Sequence, residues 1–282
     1  MKENIGPFKL YKETPNDIQY GCLYTMEVEL PILYSKKRMV RVYLPEDFDE
    51  KKKYPVLFMA DGQNIVDKFT SAFGAWDIDV HEHNLIQQGY PSFIVVGIDC
   101  PKDPVHRALE YSFPFLEIQT EDTGEFNKEG LEFESHLLYK YIALELLPLL
   151  RDYFPISDKK EDVGAGGSSM GGVFSTSLVT SYPDVFRFAL IFSPGFFLYS
   201  KEKTLRYLDE VIPKLANQRL YFYCGNIAFE SQFLDRTYSV YRYFKTKGYN
   251  EENIHLEIDT DCGHNERSWS KHFEDAIKFW FK

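Results

Sequence analysis

The sequence predicts an α/β fold: a mostly parallel central sheet with antiparallel N-terminal edge strands and helices on both faces. Three observations carry this. Residues 54–60 are a continuous apolar run, and 92–99 are apolar between Ser92 and Asp99, as in strands covered on both sides. From residue 54 onward strand-like and helix-like segments take turns, the order that a parallel sheet with crossover helices requires. Ahead of them, residues 22–30 and 38–44 alternate apolar and polar side chains, the pattern of antiparallel strands with one solvated face.

The elements follow in order. Residues 1–19 are polar and irregular and read as an N-terminal arm on the surface. Pro45 and the segment EDFDEKKK make a solvated turn before the first buried strand, 54–60. A helix over 76–88 leads to the second, 92–99. Residues 100–132 then form a long connection with Pro101, Pro104, Pro114 and the acidic segment EDTGEFNKEG. Long irregular connections inside compact domains often carry function, so this one reads as a flap-like insertion beside the site. A helical stripe over 133–154 (Leu138, Tyr141, Ile142, Leu146, Leu149, Leu150) contains Pro148, which is expected to kink or divide the helix. The remaining strands are expected at 162–166, 186–193, 219–224 and 254–258. The remaining helices are expected at 171–182, 201–215, 233–247 (closed by Gly248) and 269–281. No internal repeat or Pro/Gly-rich linker divides the chain, so 1–282 reads as a single domain.

Composition narrows the function. Hydrophobic residues make up 44% and charged residues 27%, within the ordinary range for a globular protein. The net charge of −11 and the lack of a basic stripe argue against a nucleic-acid partner. The N-terminus lacks the apolar core of a signal peptide, and no apolar run approaches the ~18 residues of a membrane span. Cys22, Cys100, Cys224 and Cys262 lie far apart without C-x-x-C spacing and read as free thiols in a cytoplasmic protein.

The chemistry centres on Gly167-Ser-Ser-Met-Gly171, whose one G-x-S-x-G frame puts Ser169 in the middle. A serine hydroxyl needs exposure, aim and a neighbouring base, and a sharp strand-to-helix turn supplies the aim. That turn also presents the Met170 amide at a helix N-terminus, where it can bind an oxyanion. Open parallel sheets gather reactive groups at the carboxyl ends of their strands. Those ends read Asp61-Gly-Gln-Asn64, Asp99-Cys100, Ser169, Ser193-Pro-Gly195, the segment after Cys224, and 259–264. His264 is the histidine that falls at a strand end after the elbow, and it reads as the base for Ser169. For the acid that holds His264, the candidates are Glu230, Asp235 and Asp261. Glu230 is favoured because it lies in the loop before the helix at 233. Asp235 then falls in that helix's first turn, where the helix dipole suffices to explain it, and Asp261 sits where it would tie its own turn. His81-Glu82-His83 resembles a metal pair, but positions i and i+2 do not share a helix face, so a polar helix surface is preferred.

The segments FMADGQN (58–64), VGID (96–99), HRALEY (106–111), GSSMGG (167–172), FSPGFF (192–197) and GHNERSW (263–269) resemble the putative-esterase family, in the family's order. That family includes esterase D-like, enterochelin esterase-like and feruloyl esterase-like hydrolases. The resemblance runs from about residue 22 to the C-terminus. It implies an α/β-hydrolase fold and a serine carboxylic-ester hydrolase without metal or cofactor, acting on a small-molecule ester. It carries Ser169 and His264 over and implies Gln63 as the second oxyanion amide. The family's short Gly-Thr-x-acid loop is replaced here by Gly225-Asn-Ile-Ala-Phe-Glu230. Arg107, Glu110 and Tyr111 read either as a substrate-orienting cluster or as an ion pair pinning the flap. Phe113, Phe115, Phe196, Phe197 and Trp269 read either as an apolar pocket or as core. An acyltransferase on the same scaffold is the alternative activity. A non-catalytic binding module is disfavoured by the presence of both serine and histidine.

Overall fold

In a computed structural model describing residues 2–11, 18–66, 74–114, 116, 118, 133–212 and 217–282, ten strands join into one sheet. They are β1 (Asn4–Ile5), β2 (Phe8–Leu10), β3 (Cys22–Glu29), β4 (Lys37–Leu44), β5 (Val56–Ala60), β6 (Ile94–Ile98), β7 (Val163–Ser168), β8 (Phe188–Phe192), β9 (Arg219–Gly225) and β10 (Ile254–Asp259). The helices are α1 (Ile78–Gln87), α2 (Pro104–Tyr111), α3 (Ser135–Tyr141), α4 (Leu147–Tyr153), α5 (Met170–Ser181), α6 (Lys201–Val211), α7 (Ser231–Thr246), α8 (Glu266–Ser270) and α9 (Phe273–Trp280). The sheet order is β1-β2-β3-β4-β6-β5-β7-β8-β9-β10. β1 to β4 are antiparallel, β4 meets β6 antiparallel, and every pairing from β6 to β10 is parallel. This is the mostly parallel sheet with an antiparallel edge that the hydrophobic pattern predicts.

Both faces of the sheet are covered, which explains the continuous apolar runs. Along β5, Val56, Phe58 and Ala60 enter one core while Leu57 and Met59 enter the other. Fully burying each of the larger side chains contributes roughly 1.5–3 kcal/mol. The central strand β7 is glycine-rich for a packing reason. A Cβ on Gly166 would lie 2.6 Å from the Met59 sulfur, so the missing side chain is what admits the large neighbours.

Several expectations are refined. Part of the N-terminal stretch joins the sheet: β1 pairs with β2, and Phe8 is fully buried with its ring 5.0 Å from that of Phe154. Pro148 divides the regular α-helix, as expected, and stands in the first turn of α4. Proline lacks an N–H and crowds the carbonyl four residues back, and the chain accommodates this with a π-helical turn, Ile142–Leu146, between α3 and α4. In that turn the Leu147 amide bonds to the carbonyl of Ile142, five residues back. The C-terminal helix is two helices, α8 starting earlier than expected because Asn265 caps it by accepting from the Ser268 amide at 3.1 Å. In the expected flap, 104–111 form α2, while most of 115–132 lies outside the described residues. On α1, Glu82 is fully buried and accepts the Phe93 amide at 2.7 Å, so this helix face is not simply solvated. No described helix is long and apolar enough to cross a membrane.

The order β6-β5-β7 marks the place where successive crossovers leave in opposite directions. At such a switch point the loops after the strands diverge and open a crevice.

Candidate active site

Ser169 stands in that crevice because the chain reverses there. β7 ends at Ser168, α5 starts at Met170, and Ser169 between them adopts φ 59°, ψ −122°. A side-chain-bearing residue rarely holds this conformation, and the surrounding bonds enforce it. The Ser169 amide donates to Phe192 O at 2.9 Å, and its carbonyl accepts from the amides of Gly172 and Gly195, each at 3.0 Å. Met170 opens α5, so its amide is among the first donors of the helix, which have no intrahelical acceptor.

Ser169, His264, Gln63 and Trp269 line one cleft of about 790 Å³, together with Arg41, Asp99, Arg107 and Glu266. Gln63 lies in a helical turn, Gly62–Asn64, entered through Asp61 in the left-handed conformation. Its side chain is fastened to the end of β6: Nε2 donates to Cys100 Sγ and Oε1 accepts the Cys100 amide, both at 3.2 Å.

His264 Nδ1 is 2.5 Å from Glu230 Oε2. Glu230 is fully buried, and its other oxygen accepts from the Gly225 amide at 3.1 Å and from the Ser193 hydroxyl. The Trp269 indole N–H, which can only donate, reaches Ser193 Oγ at 2.9 Å. The Ser193 proton must therefore point to Glu230. With Glu230 ionised, and so only an acceptor, the proton between it and His264 sits on Nδ1 and leaves Nε2 as the basic nitrogen. The ring is held between Phe233, stacked at 4.2 Å, and Trp269, edge-on at 4.8 Å. Gly225 allows the two loops to meet, since a Cβ there would lie 2.3 Å from Cys262 O and 2.8 Å from Glu230 Cγ.

Of the alternatives for the acid, Asp235 and Asp261 are both exposed. α7 begins at Ser231, two residues before the expected start, so Asp235 lies beyond its first turn. The turn is tied by Asp259 in place of Asp261: the Asp261 amide donates to Asp259 Oδ1 at 2.8 Å.

Of the two readings of Arg107, Glu110 and Tyr111, the contacts favour structural ion pairs. Arg107 lines the cleft, but its guanidinium is engaged by Asp61 through two bonds of 2.7 Å. Tyr111 is fully buried behind it, its hydroxyl accepting the Asp61 amide at 3.0 Å. Both residues therefore hold the turn that carries Gln63. Glu110 is buried against Arg38 and lies outside the cleft lining. Phe196 is also core, stacked on Phe113 at 5.6 Å, while Phe197 packs edge-on to Phe233. Phe115 lies outside the described residues.

Burial pushes the Glu110 carboxyl up to about 7, with Arg38 opposing the shift. Arg38→Met strands that carboxylate, and the expected loss is about 3 kcal/mol at pH 8, read from denaturant unfolding. Its folded-state pKa, already above the unfolded value, rises further without Arg38. The loss should then shrink as pH falls toward 5 and Glu110 is neutralised.

The sequence did not reveal the roles of Arg41, Asp99, Ser193 and Glu266. Arg41 pairs with Asp99 at 2.7 and 2.9 Å, and Glu266 accepts from Asn64 Nδ2 at 2.8 Å, a contact across 202 residues of chain. Such pairs arise from sheet register and leave no local pattern. Ser193 carried one signal, its position at a strand end before Pro194-Gly195, where it takes φ 41°.

The model of the family described as putative esterase matches residues 33–279. A Bacillus subtilis (strain 168) protein, the uncharacterized protein YbbA, is 22% identical over 250 residues, covering 86% of this chain and 92% of YbbA. Among solved structures, the BES protein from Bacillus cereus superposes with a TM-score of 0.71 at 15% identity, over 96% of this chain and 98% of that one. A ferulic acid esterase gives a TM-score of 0.66 at 16% identity, over 92% and 97%. At these identities the structural likeness speaks for the shared fold alone.

Proposed function

We propose a serine mechanism for this chain, which belongs to the putative-esterase family. Membership supports ester hydrolysis. The observation that carries the finer reading is the placement of an elbow serine and a glutamate-held histidine in one cleft.

In this reading Ser169 Oγ attacks the carbonyl carbon of a small-molecule carboxylic ester, and its proton passes to His264 Nε2. Glu230 stabilises the resulting imidazolium, and the amides of Gln63 and Met170 bind the oxyanion. Collapse breaks the bond to the leaving oxygen, which takes the proton from His264 and departs as the alcohol. Water then gives a proton to His264 as its oxygen attacks the acyl carbon, and collapse breaks the bond to Ser169 Oγ, which takes that proton back from His264 as the acid leaves. The chain's own groups supply every proton transfer. The Arg41, Asp61, Asp99, Arg107 and Glu266 side chains in the lining suit an ester with polar substituents. The four free thiols favour a cytoplasmic setting.

Product analysis on a panel of phenolic sugar esters, siderophore-type lactones and short acyl esters tests this. The expected result is free acid with saturable kinetics for at least one class. Transfer of the acyl group to an added sugar in preference to water would assign the alternative acyltransferase activity. No turnover of any ester would overturn the reading.

A further inference from the structure

Outside the cleft lining, near the open edge of the sheet, three side chains of different chemistry converge. Asp259 ends β10, Cys262 lies in the turn after it, and His272 sits between α8 and α9. Their donor atoms all lie within 4.8 Å of one another. His272 Nε2 is 2.9 Å from Asp259 Oδ2, and Nδ1 is 2.7 Å from Glu257 Oε1. The Tyr223 ring stacks on His272 at 4.4 Å. Its buried hydroxyl lies within reach of the Cys262 thiol and has no other hydrogen-bond partner among the described residues. An imidazole bridging two carboxylates explains His272. It does not explain why a thiol and a phenol join them at one point, the thiol lying within hydrogen-bond reach of both Asp259 and Tyr223.

We propose that Asp259, Cys262 and His272 form a site for one zinc-like divalent ion, with the Tyr223 hydroxyl facing its fourth position. The donor set decides the ion: thiolate and imidazole suit zinc, whereas magnesium and calcium prefer oxygen alone. Zinc bonds of about 2.0–2.3 Å place tetrahedral donors roughly 3.3–3.8 Å apart. The His272–Asp259 separation of 2.9 Å is shorter than that range and the others are at most 4.8 Å, so binding calls for small side-chain rotations. Glu257 holds the Nδ1–H, as the outer carboxylate does in many histidine–metal sites, and the ion would take the place of the proton that Nε2 now shares with Asp259. Thiolate and carboxylate together balance the two positive charges. Lys271 Nζ, 3.7 Å from the sulfur, is on an exposed side chain and can either swing aside or hydrogen-bond the thiolate.

The ligands bracket residues 259–272, the segment that carries His264, Glu266 and Trp269. The Cys262 carbonyl also accepts the amides of Asn226 and Ile227, each at 3.3 Å, in the loop leading to Glu230. An ion here would brace both loops of the His264–Glu230 pair. Its binding does not depend on the esterase reading.

The test is calorimetric titration of zinc into the full chain after chelator treatment. One equivalent should bind, at least tenfold more weakly to Cys262→Ser and to His272→Gln. Asp275→Asn, an exposed carboxylate near His272 outside the proposed set, should stay within twofold. Cobalt should give a thiolate charge-transfer band that Cys262→Ser abolishes, and zinc should protect Cys262 from alkylation. No saturable binding overturns the proposal, as does binding that His272→Gln leaves unchanged with circular dichroism intact. If Cys262→Ser fails to fold, alkylation of the unaltered chain with and without zinc decides, and equal labelling overturns it.

Discussion

Replacing Ser169 by alanine is expected to lower kcat/KM by ~10⁴- to 10⁶-fold, the size of loss when a nucleophile acting as part of a unit is removed. The fold should survive. Alanine keeps the Cβ that the φ 59° backbone already accommodates, and the bonds from Ser169 to Phe192, Gly172 and Gly195 all use main-chain atoms. The melting temperature is therefore expected to move little, which separates lost chemistry from lost structure. A fluorophosphonate probe should add a single label to the unaltered protein, mapped by mass spectrometry to Ser169. Ser168 is the control that matters, because it adjoins Ser169 and also lines the cleft, although it is largely buried at the end of β7. Labelling that persists on Ser168 in Ser169→Ala would reassign the nucleophile. Residual turnover above the uncatalysed rate is compatible with the proposal, since oxyanion amides and substrate binding remain.

The elbow was legible in the sequence because its geometry demands particular residues at fixed spacing: glycines where the backbone doubles back and a serine at the turn. The buried strands were legible because two-sided coverage leaves a run with no polar positions, as in β5 and β6. β7 was harder to read, since its glycines serve neighbouring side chains such as Met59 and not its own hydrophobicity. β1 and β2 are too short to show a period, and only pairing along β3 reveals them. The roles of Arg107, Glu110 and Tyr111 were ambiguous for a different reason. A buried pair and a substrate clamp use the same residue types, and the partners Asp61 and Arg38 lie 46 and 72 positions away. Loop position narrowed the acid to three carboxylates, but which of them reaches His264 depends on how the loops after β9 and β10, separated in sequence by α7 and β10, come together.

Glu230→Gln is expected to lower kcat by about 10³- to 10⁴-fold, the scale seen when the acid of such a unit is made neutral. Glutamine nearly preserves the shape, and its amide oxygen can still accept from the Gly225 amide and the Ser193 hydroxyl, as Glu230 Oε1 does. The amide nitrogen then faces His264 Nδ1 and donates to it. An imidazole that accepts at Nδ1 carries its proton on Nε2, so it cannot take a proton from Ser169. The imidazolium also loses the buried carboxylate that would stabilise it. Asp235→Asn and Asp261→Asn should each keep kcat within about threefold, since both side chains are exposed and surface substitutions of this kind have small effects. Steady-state kinetics on the three variants, with circular dichroism to confirm folding, provides the check. The expected loss sits in kcat with KM little changed, because Glu230 is fully buried and outside the cleft lining. Near-normal kcat in Glu230→Gln, paired with a collapse in Asp235→Asn, would move the acid to Asp235. Ser169 and His264 would keep their proposed roles.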